Sequence, residues 1–462
     1  GGMTDTTVLD RSRPPAPGPL RPFHFPDVRR RTLDNGLEVI VAENHAFPVA
    51  TLDLVLPSGG LAEPEERGGI ASLTAGLLES GAGGRDATQI AEAVDELGLA
   101  LETGISWDTT LAGFTSLTSR LEAGMQILSD LVVRPEFPQH EVERIRDERL
   151  ASVVQRRGDP SSLADELIVH YSFPEQHPFG RRLGGPETTL ATLTRADAAD
   201  FHAAHYLPAG AWLCAAGDVT LDGVSALAER FFGGWAGAPP APRAPETDVR
   251  FAETTIILAD RPGSVQSEVR VGHVGIRRTD EDYFAVTVMN AILGGIFSSR
   301  LNLNLRERLG YTYGASSAFG MRRLPGTFTI SSAIQSEGTA HSVSEMLRDM
   351  RAMQEELVSD EELNDARSYL AGTFPLAMQT TDGLAGKLSS LAVYGLPDDY
   401  YDSYRDRLMA VTADEVRQAA RRRLLPDRSA IVVVGDAKEL RGGLEELGIG
   451  PVRVIDPADV LT

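Results

Sequence analysis

The chain has 462 residues, of which 42% are hydrophobic and 24% charged; this excludes a disordered chain and leaves room for two or three domains. Its net charge is −22, from 44 Lys and Arg against 66 Asp and Glu. That balance argues against nucleic acid and anionic membranes as partners and is compatible with a basic peptide; no apolar run approaches the ~20 residues that span a bilayer.

The first residues, GGMTDTTVLDRSRPPAPGPLRP, lack the apolar stretch of a signal peptide, so a cytoplasmic location is expected. Gly1-Gly2 reads as an addition before a natural start at Met3, and residues 1–26 as a flexible, Pro-rich arm. The segments GLEVIVAE and VATLDLVL alternate apolar and polar residues, which predicts half-buried strands. Residues 68–83, GGIASLTAGLLESGAG, have helical apolar spacing and end in small residues. Residues 86–98 form a second expected helix, with Asp86 as its N-cap and Gly98 as its stop. A third spans 138–157, where Glu141, Glu143 and Glu148 alternate with Arg144, Arg146 and Arg149 as a solvated, ion-paired face.

Two histidine pairs follow. His202 and His205 form H-A-A-H on an expected helix, and His170 and His177 flank a loop. An i, i+3 pair needs a third ligand and a cleft to hold a metal, and no acid stands at helical spacing. Cys214 lies in the apolar run AWLCAAGDV and is expected to be a buried strand residue without a disulfide partner.

The Pro/Ala-rich stretch AGAPPAPRAPET, residues 236–247, is the expected linker between domains at 27–235 and 248–462. Each domain closes with a Thr-started helix, a Leu-Pro turn, an apolar strand and Gly-Asp. Thr194 and Thr412, Pro208 and Pro426, Gly217 and Gly435, and Asp218 and Asp436 are all 218 residues apart, which indicates an internal duplication. In the second domain, EVRVGHVGI reads as a strand, DYFAVTVMNAILGG as a helix ended by glycines, and MRRLPGTFTISSAI as a turn and strand. Helices are expected at about 338–356 and 359–379. Strand-rich openings followed by helices predict an α+β fold: two homologous domains, each a mixed, mostly antiparallel sheet with helices mainly on one face.

TLDNGLEVIVAEN, LPSGGLAEPEERGGIASLTAGLLESGAGGRDA, RRGDPSSLADELIVHYSFPEQHPFGRRLGGPE, GGIFSSRLNLNLRERLGYTYG and TTDGLAGKLSSLAVYGLPDDYYDSYRDRLMAVTADEV together resemble the pitrilysin-like (inverzincin) peptidases of the short, two-domain type. The likeness runs from about residue 30 to 440. In that family a helix carries H-x-x-E-H: two His one turn apart share a zinc ion and the Glu acts as general base, with a distal Glu as further ligand. The resemblance places Ser72, Ala75 and Gly76 at the His, Glu and His positions and Ser152 at the distal one. It therefore implies no catalytic group and no metal in this chain.

The resemblance also implies a substrate contact. An Arg and a Tyr seven residues apart in the family's second domain correspond to Arg306 and Tyr313, within LRERLGYTY, with Tyr311 as a competing tyrosine. A guanidinium holds a carbonyl, and a phenol donates to a developing oxyanion. Gly294-Gly295 with Phe297-Ser298-Ser299 would form a glycine turn before them. The edge-strand segment LETGISWD carries Thr103-Gly104 where metal-bearing members tend to have Asn-Ala, so it is assigned no peptide pairing. The expected function is a catalytically incomplete subunit of a heterodimeric zinc endopeptidase. It would form half of a clam-shell chamber around a peptide, with zinc held by a homologous partner that bears H-x-x-E-H. The alternatives are a non-proteolytic scaffold or peptide-binding protein of the same fold, and an enzyme with an unrecognised site.

Overall fold

The computed structural model describes residues 18, 20–241 and 243–461. Among these residues, fourteen strands form two six-stranded sheets and one short hairpin. The first half contains β1 (Val28–Thr32), β2 (Glu38–Glu43), β3 (Val49–Leu56), the hairpin β4 (Gly81–Ala82) and β5 (Arg85–Asp86), β6 (Ala100–Ile105), β7 (Thr110–Leu117) and β8 (Trp212–Gly217). The second contains β9 (Thr255–Asp260), β10 (Gln266–Val274), β11 (Ala315–Phe319), β12 (Thr327–Gln335), β13 (Ala430–Gly435) and β14 (Val452–Ile455).

The duplication read from the sequence is present in the topology. The first sheet runs β1-β2-β8-β3-β7-β6 and the second, reversed, β14-β9-β13-β10-β12-β11. In both, a parallel pair (β2 with β8, β9 with β13) leads into antiparallel partners. Only the sixth strand differs: β1 precedes its sheet in sequence and pairs antiparallel, whereas β14 follows and pairs parallel.

The helices of the first half are α1 (Ile70–Gly76), α2 (Ala87–Leu97), α3 (Leu121–Val133), α4 (Gln139–Gly158), α5 (Pro160–Ser172), α6 (Glu187–Leu190), α7 (Arg195–His205) and α8 (Leu221–Phe232). Those of the second are α9 (Tyr283–Asn290), α10 (Thr339–Glu355), α11 (Asp360–Thr373), α12 (Thr381–Tyr394), α13 (Tyr404–Ala410), α14 (Ala413–Arg423) and α15 (Ala437–Glu446). Asp86 caps α2 through a reciprocal box with Gln89, and Gly98 ends it at φ +61°.

Each sheet packs its own helices on one face and a helix from the other half on the second. On the first sheet, Ile40, Ala42, Cys214 and Ala216 share a core with Leu384, Ala385 and Leu388 of α12. On the second, Ile257, Ala259, Val432 and Val434 pack against Leu163, Leu167 and Ile168 of α5. The 218-residue shift carries α5 close to α12, so the exchange is reciprocal. Thr51 meets Thr381 at 2.8 Å on one side, and Arg270 donates to Asp165 at 2.6 Å on the other. Alternation in β2 and β3 predicted one exposed face. Both strands are instead almost wholly buried, because the exchanged helix covers the face that water would have wetted.

The expectation of a loose arm over residues 1–26 does not hold for 20–26. Phe25 is buried with its ring 5.0 Å from Tyr401, and Phe23 meets Phe374 edge-on at 5.7 Å. The Pro-rich residues 13–17, Pro19 and Pro242 lie outside the described residues.

Candidate functional site

α1 begins at Gly69, whose φ of +95° favours glycine. No capping side chain is adjacent in sequence; the buried Glu63 carboxylate accepts from the N–H of Gly69 at 3.1 Å and Ala71 at 2.9 Å, and binds Arg181 at 2.5 Å. Carboxylate and helix dipole reinforce each other there. Ile70, Ala71, Leu73, Thr74 and Ala75 are buried, so α1 is anchored on three sides.

The positions expected to have lost the metal site lie on this helix. Ser72 and Ala75 are buried and Gly76 is exposed. Facing them is Arg149 of α4, which donates from Nη1 to Ser72 Oγ at 2.6 Å and from Nη2 to the Ser72 carbonyl at 2.8 Å. A β-carbon at Gly76 would lie 2.5 Å from the same Nη2. Burial holds the Arg149 guanidinium below its ordinary pKa. Ser152, reached by counting along the chain, is exposed; the α4 side chain that reaches α1 is Arg149, three residues earlier.

A hydroxyl, a methyl group, a bare backbone and a guanidinium do not fit a divalent metal. They supply no carboxylate or imidazole, and the cation would repel the ion. Among the described residues, no group of three His, Cys, Asp or Glu could hold a metal.

Arg149 was expected on a solvated face with Arg144 and Arg146. Arg144 does pair with Glu141 and Glu148, each at 2.6 Å, and lies in that face. Arg149 does not. It shares the inward stripe of Val142, Ile145 and Val153 at helical spacing, and that spacing was the signal available in the sequence.

The histidines are held separately. The His202 ring bonds the Val132 carbonyl at 2.7 Å, and burial lowers its pKa; His205 packs on Phe201. His177 accepts from the Phe179 N–H through Nδ1, and burial depresses its pKa to about 4. His170 contacts Arg250. Cys214 is buried in β8, and burial pushes its thiol up to about 12.

In the second half, α9 runs into a π-helical turn, Ala291–Gly295, and another spans Asn302–Arg308. Such turns often occur at functional sites because they re-aim side chains without ending the helix. Gly294 is fixed by packing against β11: an added β-carbon would lie 2.6 Å from the Ser317 backbone N. In the second turn Asn302, Asn304 and Leu305 point inward. Asn302 Oδ1 accepts from the Ala315 N–H at 3.0 Å, and Asn304 donates to Asp349 at 3.0 Å. Arg306 is thereby turned outward, with its guanidinium 4.5 Å from the centroid of Phe297.

Phe297 is 72% exposed and Tyr313 93%. Tyr311, the competing tyrosine, is engaged: its ring lies over Gly338 and its hydroxyl is 3.4 Å from His341 Nδ1. Tyr313 is therefore the phenol open to a ligand. No hydrogen bond joins Arg306 to Tyr313 among the described residues. β6 is the outermost strand of the first sheet and, among the described residues, pairs only with β7. Its Thr103 hydroxyl donates to Glu79 at 2.7 Å.

Comparison with known proteins covers both halves. Residues 38–187 match the family model described as insulinase (peptidase family M16), and residues 192–370 match the peptidase M16 inactive domain. An uncharacterized zinc protease of Streptomyces coelicolor is 26% identical over 89% of this chain and 90% of its own length. The probable mitochondrial-processing peptidase subunit beta of Arabidopsis thaliana is 23% identical, over 90% of this chain and 80% of its own. A solved peptidase M16 inactive domain from Pseudomonas fluorescens superposes with a TM-score of 0.83 at 25% identity, covering 88% of this chain and 98% of that one. A protease from Helicobacter pylori shares the fold, with a TM-score of 0.78 at 17% identity over 88% of this chain and 99% of that one.

Proposed function

We propose that this chain, which belongs to the pitrilysin-like M16 peptidase family, is the catalytically incomplete subunit of a heterodimeric zinc endopeptidase. It supplies half of the chamber and substrate contacts, and a homologous partner carrying H-x-x-E-H supplies the metal. The observation that carries this reading is the guanidinium of Arg149 between α4 and α1, where Ser72 and Gly76 stand at the two zinc-ligand positions and Ala75 at that of the general base. A cation held there by two hydrogen bonds leaves no place for a metal in this subunit.

The second support is the outward Phe297–Arg306 pair and the open Tyr313 hydroxyl. Arg306 would hold a substrate carbonyl and Tyr313 would donate to the oxygen that gains charge during hydrolysis. One relative carries the name of a subunit, that of the mitochondrial processing peptidase, which favours pairing. No helix among the described residues is long and apolar enough to cross a membrane.

The test is peptide hydrolysis with bound zinc quantified, on this chain alone and then mixed with a co-encoded H-x-x-E-H homologue. Activity and stoichiometric zinc are expected only in the mixture. Zinc-dependent hydrolysis by the isolated chain would overturn the proposal. A stable homodimer that stays silent with and without the homologue would favour a scaffold.

A further inference from the structure

We infer that the position left by the metal is a carboxylate-binding site, with the Arg149 guanidinium as its cation. α4 carries five arginines. Four of them lie near a carboxylate: Arg144 near Glu141, Arg146 near Asp147, Arg156 near Glu166 and Arg157 near Glu187. Arg149 forms no ion pair among the described residues, although it is partly buried. A cation withdrawn from water without a counter-ion is costly, and an incoming anion relieves that cost.

The fork is already oriented. One N–H of Nη1 and one of Nη2 go to the hydroxyl and carbonyl of Ser72, which fix the plane of the group. Nε–H has no acceptor among the described residues, yet it is not sealed among the buried, unsatisfied atoms. A planar, two-oxygen acceptor suits the side edge of a guanidinium. Gly76 seats the guanidinium at the surface: it is exposed and has no side chain, so Nη2 rests 2.5 Å from where a β-carbon would lie. A single cation matches a monoanionic carboxylate better than a phosphate dianion. Given the peptide-handling role proposed above, on which this inference rests, the carboxylate belongs to a bound peptide, either its C-terminus or an acidic side chain.

The experiment uses the full chain and three octapeptides labelled at the N-terminus with an uncharged BODIPY dye: one with uncharged side chains and a free C-terminal carboxylate, one with uncharged side chains and an amidated C-terminus, and one amidated with an internal Glu. Fluorescence anisotropy is read at low salt for wild type, Arg149→Gln and Arg149→Lys. A carboxylate-bearing peptide is expected to bind wild type about tenfold tighter than the neutral amide, as for one charge-assisted contact. Arg149→Gln should abolish that preference, and Arg149→Lys should retain part of it. Which of the two acidic peptides is preferred identifies the source. If Arg149→Gln does not fold, competition in wild type by sodium acetate against sodium chloride at equal ionic strength reads the same site. Equal binding of all three peptides would overturn the carboxylate site while leaving peptide binding intact. No binding of any peptide would count against both.

Discussion

A β-carbon at position 76 would lie 2.5 Å from Arg149 Nη2, and that guanidinium is tied to Ser72 by two bonds. Gly76→Ala should therefore cost about 0.5–2 kcal/mol in wild type. In an Arg149→Ala background the same change should stabilise by about 1 kcal/mol, because alanine is the better helix former. Urea denaturation of the four-member cycle reads the reversal of sign; an unchanged sign would remove the pairing. Asp53 makes a second residue-scale case. It lies in β3 on the face covered by α12, and its carboxyl occupies the room left by Gly113. Burial, with Asp382 and Glu102 nearby, raises its pKa to about 7. Its folded pKa lies above its unfolded one, so the neutral form favours folding. The contribution is complete below about pH 4 and is lost as pH rises to about 7. Asp53→Asn should thus stabilise by roughly 2–4 kcal/mol at pH 8, with the gain shrinking towards pH 4. Thermal melts across that range are the check.

At the scale of elements, the exchanged helices carry the argument. Leu167 of α5 is fully buried against strands of the other half, so Leu167→Ala should cost about 2–5 kcal/mol and loosen both halves together. Hydrogen exchange that slackened in one half alone would refute the coupling. Most local elements were legible in the sequence because their signals are local: Asp86 and Gly98 bracket α2, and Thr194 and Thr412 cap α7 and α14 with the same reciprocal box. The full burial of β2 and β3 was not legible. The alternation of VATLDLVL shows two faces, but nothing in those residues names α12, some 330 positions away, as the cover for the second.

For the whole molecule, the exchange makes the two halves one folding unit. Residues 27–235 expressed alone should leave one sheet face bare and aggregate, whereas co-expression with 248–462 should rescue solubility. Solubility of the first fragment alone is the result that would contradict this. In the reconstituted pair, Arg306→Ala or Tyr313→Phe should lower peptide cleavage by one to three orders of magnitude without loss of assembly, measured by kcat/KM beside size-exclusion chromatography. By itself the sequence determined the duplication, because equal spacing of caps and Gly-Asp stops needs no partner to be seen. It also supplied the family likeness and the absence of imidazole and carboxylate at Ser72, Ala75 and Gly76, which residue identity alone shows. Only the tertiary structure decided that Arg149 fills that space, that Tyr311 is engaged while Tyr313 is open, and that each sheet is covered by its neighbour's helix. Those outcomes depend on which surfaces meet across long stretches of chain, and a helical stripe or a strand face does not specify the element that covers it.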